Sequence, residues 1–105
     1  HLFFACSISE RFVESIFSWV LGAPANISRQ EFFVLYIHPD HRKTYALLIV
    51  SVLVKKYLWD CKQRHALPDL ELAKIYIREE IKIIRFCSSK AKIILDNSGL
   101  LPQLG

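Results

Sequence analysis

The sequence predicts an all-α protein of three to four helices packed around a long central apolar helix at about residues 41–64. Three observations carry that expectation. Apolar residues recur every three or four positions over long stretches. Gly22 with Pro24, Pro39 and Pro68 fall between those stretches. Apolar residues make up 52% of the 105 and charged residues 23%, which fills one hydrophobic core but hardly two. Residues 1–96 are therefore expected to form a single helical domain, with residues 97–105 as a frayed tail.

The first helix is expected over Ser7 to Leu21. Ile8, Phe12, Val13, Ile16, Phe17, Trp19, Val20 and Leu21 keep a helical spacing, and Glu10, Arg11 and Glu14 take the other side. Ser7 or Ser9 suits its start, and Gly22 followed by Pro24 its stop. Between Ala23 and Asp40 the pattern divides. Ser28-Arg29-Gln30-Glu31 resembles a helix start, whereas Phe32 to Ile37 also suits an extended segment; a short helix and then a loop is favoured.

Pro39 turns the backbone away from helix and leaves Asp40 as the cap of the next one. The long helix then runs from His41 to about Arg64, apolar nearly all round in its first half and basic in its second. That first half is expected to be enclosed on most sides, its β-branched Ile49, Val50, Val52 and Val54 tolerated because tertiary contacts override propensity. After a turn at His65–Asp69, a further helix starts at Pro68 or Asp69, with Glu71 favourably placed near the positive end of its dipole. Its buried stripe is Leu70, Ala73, Ile77, Ile81 and Ile84, with Ile75 a further candidate. The helix ends or bends at Cys87-Ser88-Ser89, ahead of Lys90 to Leu95.

Composition excludes several classes. Three cysteines cannot all pair within the chain, so a reduced, intracellular setting is expected, cytoplasmic or nuclear. No basic region precedes an apolar stretch at the start, and the run from Tyr45 to Val54 falls short of the roughly 20 residues a bilayer demands. No secretory signal and no membrane partner are expected. Methionine is absent even from position 1, which suggests a piece of a longer chain. No phosphate-cradling glycine loop, nucleophile elbow or paired-carboxylate constellation is visible, so no enzymatic activity is expected.

Metal and phosphate chemistry offer more. Cys61 and His65 lie four apart, but no further ligands are evident nearby; they read as a half-buried thiol and a solvated histidine at a helix end. His38 and His41 read as loop and helix-start residues, and Cys87 has no evident partner. His1 and Cys6 have the spacing His-x4-Cys, half of a four-ligand zinc site whose Cys-x2-Cys half would precede them. Zinc is therefore expected only with upstream ligands, and this piece alone has no cofactor. Lys55, Lys56, Lys62 and Arg64 interleave with Tyr57 and Trp59 as in a nucleic-acid surface. The favoured reading puts the two aromatic rings in the core and the lysines on its solvated flank.

Three segments together resemble the far C-terminal region of LINE-type (non-long-terminal-repeat) retrotransposon polyproteins, of the kind common in fish genomes. His1-Leu2-Phe3-Phe4-Ala5-Cys6, with Phe12 and Trp19, resembles the end of the zinc-binding segment that comes after the reverse transcriptase. Leu47 to Lys62, ending Lys55-Lys56-Tyr57-Leu58-Trp59-Asp60-Cys61-Lys62, resembles the long apolar helix beyond that segment. Leu67-Pro68, the helix through Arg85, and Ser88-Ser89-Lys90-Ala91-Lys92 resemble the closing helices. Val13 replaces the family's usual Trp, Leu58 its usual Ile, and the leading Cys-x2-Cys pair is missing.

The resemblance implies a parent polyprotein with endonuclease and reverse transcriptase activities, whose catalytic residues lie outside this chain. For this piece it implies an accessory role, with His1 and Cys6 as two of four zinc ligands and a helical appendage holding RNA or DNA. The phosphate-contact candidates are Lys55, Lys56, Lys62, Arg64, Lys82, Arg85, Lys90 and Lys92. Two rivals stand beside it: a protein-interaction or scaffolding domain that meets the remainder of the polyprotein, through Phe32–Ile37 for example, and a membrane-associated helix pair built on Tyr45–Val54.

Overall fold

A computed structural model describes residues 7–24 and 40–104. Among them are five helices and no strand: α1 (Ser7–Leu21), α2 (His41–Gln63), α3 (Leu70–Cys87), α4 (Ser89–Asp96) and α5 (Leu101–Leu104). The all-α class predicted from periodicity is the one observed. The short helix and loop expected within Ala23–Asp40 lie largely outside the described residues, as does the Phe32–Ile37 segment, and the cap expected at Ser7 or Ser9 lies outside the described side chains.

Each described boundary has a local cause. Gly22 adopts a left-handed φ of 71° and donates its N–H to the Ser18 carbonyl at 2.9 Å, closing α1. Asp40 caps α2 by accepting from the Arg42 N–H at 3.0 Å, and Asp69 caps α3 by accepting from the Leu72 N–H at 3.0 Å. Ser88 serves two helices. Its N–H goes to the Ile84 carbonyl at 2.9 Å, ending α3, while its hydroxyl accepts from the Ala91 N–H at 3.2 Å, starting α4. The helix expected to end or bend at this point is therefore broken by one serine.

The end of α2 carries a Schellman motif. The Ala66 N–H reaches the Cys61 carbonyl at 2.9 Å and the His65 N–H reaches the Lys62 carbonyl at 3.1 Å. His65 holds the left-handed position, φ 54°, that glycine usually takes. Cys61 is buried while His65 lies exposed beyond the helix, and no group of three or more metal-capable side chains occurs among the described residues.

Two helices share the central role. α2 supplies the largest share of buried residues, among them Ala46, Leu47, Val50, Leu53, Val54, Tyr57, Leu58 and Cys61. α3 packs against all four other helices. α2 and α3 run antiparallel, with Tyr57 beside Tyr76 and Lys56 beside Glu80, and α4 continues along the first half of α2. From α1, Val13, Ile16, Phe17 and Val20 are fully buried, each contributing roughly 1.5–3 kcal/mol over exposure. The Phe12 ring stacks on that of Tyr57, centroids 5.7 Å apart.

Tyr57 also fixes the turn between α2 and α3. Its hydroxyl donates to the Asp69 carbonyl at 3.2 Å and accepts from the Asp69 N–H at 3.1 Å. The ring therefore belongs to the core, as favoured from the sequence. Trp59 differs, being 43% exposed. The first half of α2 is not enclosed on most sides either: Tyr45, Leu48 and Val52 are exposed, because α3 and α4 cover one side of the helix. Ile75, a candidate for the α3 stripe, is exposed as well, since its helical phase opposes Ala73, Ile77 and Ile81.

The tail expected to fray from Asn97 instead folds back. The Ser98 hydroxyl donates to the Leu95 carbonyl at 2.7 Å and accepts from the Leu100 N–H at 3.1 Å, and the Ser98 carbonyl accepts from Lys43 Nζ at 3.1 Å. Gly99 makes the reversal at φ 75°. Leu100 and Leu104 then enter the core, and α5 packs against α1 and α3. Apolar anchoring overrides the breaker residues in this segment. Among the described residues no helix is long and apolar enough to cross a membrane.

Candidate nucleic-acid interface

The eight basic candidates do not converge on one surface. Lys62 and Arg64 are exposed at the far end of α2, where the Arg64 Nε reaches the Asp60 carbonyl at 3.4 Å. Since α3 advances about 1.5 Å per residue, its start beside them lies roughly 20 Å from Arg85 near its end. Lys55 is half-buried, and burial pushes its ammonium below its ordinary range. Lys56 is exposed and pairs with Glu80 at 3.7 Å; the Tyr76 phenol first, and then Glu80, raises its pKa. The Tyr76 hydroxyl is itself buried with no described atom completing a hydrogen bond to it, and burial raises its pKa.

Lys82, Arg85 and Lys92 do converge. The bend at Ser88 brings α3 and α4 to an open cleft of about 420 Å³ lined by these three cations and Phe86. Arg85 donates from both Nε and Nη2 to one oxygen of Asp96, at 3.0 and 2.7 Å, and Lys92 reaches the other oxygen at 2.9 Å. Lys92 and then Arg85 hold the Asp96 carboxyl below its ordinary range. Lys82 pairs with Glu79 at 3.3 Å on its own helix. The Lys82–Glu79 pair is solvent-facing and holds weakly, whereas Arg85 and Lys92 share Asp96, whose side chain is half-buried and with which a phosphate must compete. Lys90 is exposed on α4.

No protein-family model, curated protein or solved structure matches the chain. The chemistry of the cleft therefore has to be read from its own residues. His1 and Cys6, the half zinc site expected from spacing, lie outside the described residues.

Sequence reasoning misses Phe86, although it is 92% exposed and lines the same cleft as the three cations. Its signal is present in the helical phase. Ala73, Ile77, Ile81 and Ile84 define the inward side of α3, and Phe86 falls opposite to them, in line with Lys82 one turn earlier. Convergence with Lys92 is not legible, because it depends on how sharply α4 turns at Ser88.

Proposed function

We propose that this chain is a non-catalytic accessory segment from the C-terminal region of a LINE-type retrotransposon polyprotein, and that its α3–α4 end contacts RNA or DNA phosphates. Three sequence segments resembling that region support the parentage. The convergence of Lys82, Arg85 and Lys92 on one open cleft supports the contact. Cations from two helices flank a single surface there, the arrangement that releases counterions from a nucleic-acid backbone.

Fluorescence anisotropy with single-stranded oligonucleotides over a series of salt concentrations tests the reading. Binding is expected to weaken steeply with salt. Replacing Lys82, Arg85 and Lys92 together with glutamine is expected to reduce the log–log slope by about 2, at roughly 0.7 for each phosphate no longer neutralised. A flat salt response, or no binding at low ionic strength, overturns the proposal.

One observation favours a second reading, an interaction domain without nucleic acid. Leu48, Ile49, Val52, Leu53, Ile84 and Ala91 line a groove of about 390 Å³ between α2, α3 and α4, beside exposed Tyr45. Such a face suits the remainder of the parent polyprotein. Sedimentation separates the two readings, since association indifferent to salt and oligonucleotide favours this one.

A further inference from the structure

We propose that Phe86 is a stacking platform for an unpaired base, so that the ligand of the α3–α4 cleft is single-stranded nucleic acid and not a duplex. This inference rests on the phosphate-binding reading above and adds the strand state to it.

A phenylalanine ring left 92% exposed forgoes the burial that makes aromatic residues the largest contributors to cores and interfaces. Phe86 stands one residue before the end of α3, where Ser88 closes that helix and opens α4. The chain thus turns away beyond the ring, which has the exposed Ile83 and the cation of Lys82 about one turn before it on α3. Arg85 adjoins the ring, and Lys92 reaches the cleft from α4.

A ring set among cations from two helices matches the two parts of an unpaired nucleotide. The base stacks on the ring, and the phosphates on either side meet the ammonium and guanidinium groups. A duplex meets only half of this arrangement, because its bases are stacked on one another and their faces are closed to Phe86. Glu79 and Asp96 also border the cations, so a phosphate competes with the solvent-facing Lys82–Glu79 pair and with the half-buried Asp96 side chain that Arg85 and Lys92 share. Stacking supplies an attraction that these carboxylates do not oppose. RNA and DNA offer the same base face and phosphate, so both sugar types are tested.

The full chain and its Phe86→Ala and Phe86→Trp variants are titrated at low salt against oligodeoxyuridine, oligouridine, an abasic strand of equal length and a duplex. Phe86→Ala is expected to weaken both base-bearing single strands roughly 5- to 160-fold, with the abasic strand and duplex unchanged and Phe86→Trp restoring affinity. The difference between oligouridine and oligodeoxyuridine, which share one base, assigns the sugar. Equal losses on all four ligands, or none on the base-bearing strands, overturn the stacking role while leaving phosphate binding intact. Altered sedimentation of Phe86→Ala without any change in oligonucleotide binding assigns the ring to a protein contact and also overturns it. Absence of binding by the parent chain overturns the functional reading itself, an outcome distinct from the others. Thermal unfolding accompanies each variant, and an unchanged midpoint is expected for so exposed a ring.

Discussion

Replacing Tyr57 with phenylalanine keeps the buried ring, its stack on Phe12 and its contact with Tyr76, and deletes only the hydroxyl. That hydroxyl makes two hydrogen bonds, donating to the Asp69 carbonyl at 3.2 Å and accepting from the Asp69 N–H at 3.1 Å. A net hydrogen bond is worth about 0.5–1.5 kcal/mol. Asp69 is exposed enough for water to re-pair part of the loss, so the expected destabilisation is about 1–2 kcal/mol. In urea the midpoint should fall by roughly 1 M at unchanged slope, and the thermal midpoint by roughly 5–15 °C. Alkaline pH provides a second arm. Burial raises the Tyr57 pKa above its ordinary value of 10.0, so its neutral phenol is favoured in the folded state. The associated stability is whole below pH 10.0 and is lost as pH rises through the raised value. The variant should therefore lose less stability than the parent at alkaline pH, with Tyr76, shifted the same way, leaving a residual loss in both. A destabilisation under about 0.3 kcal/mol, well below one net hydrogen bond, would refute the claim that this hydroxyl secures the turn.

Three further outcomes are expected from the same geometry. Leu104→Ala should cost about 2–4 kcal/mol in denaturant unfolding, since Leu104 is fully buried; no loss would mean that α5 is not docked. His65→Val should cost about 1–2 kcal/mol, because a β-branched side chain resists the left-handed conformation, whereas His65→Gly should change the thermal midpoint little at that φ of 54°. Asp96→Asn should tighten oligonucleotide binding at low salt by freeing Arg85 and Lys92, the gain disappearing as salt rises; weaker binding would count against phosphate contact at this cleft. Because Asp96 titrates below its ordinary 3.8, its pairing is complete above pH 3.8 and is lost as pH falls through the lowered value, so unfolding measured on the acid side should show a smaller pH dependence in the variant.

The accessory reading places its weight on one end of the molecule. A basic stripe along the whole second half of the chain would have bound nucleic acid diffusely. Distances separate the candidates into an α2-end group, Lys62 and Arg64, and a cleft group, Lys82, Arg85 and Lys92. Lys56 is paired with Glu80 between them. Mutations in the two groups are thus expected to separate in binding experiments.

Helix existence and most helix ends were legible in the sequence because their causes are local. A spacing of three or four apolar residues needs only its own helix to be read, and Asp40, Asp69, Ser88 and Gly22 act on amides and carbonyls within a few residues of themselves. Burial was only half legible. The phase of Ala73, Ile77 and Ile81 gives the inward side of α3, but whether Tyr45, Leu48 and Val52 are covered depends on which helices arrive at that side of α2, and composition is silent on that. The tail and the cleft needed the tertiary structure altogether. Breaker residues from Asn97 to Pro102 suggest fraying by local rules, yet Leu100 and Leu104 gain more from the core than those residues cost. Lys92 and Arg85 meet on Asp96 across a bend whose direction is set by packing of α4 on α2, and that packing joins residues far apart in sequence.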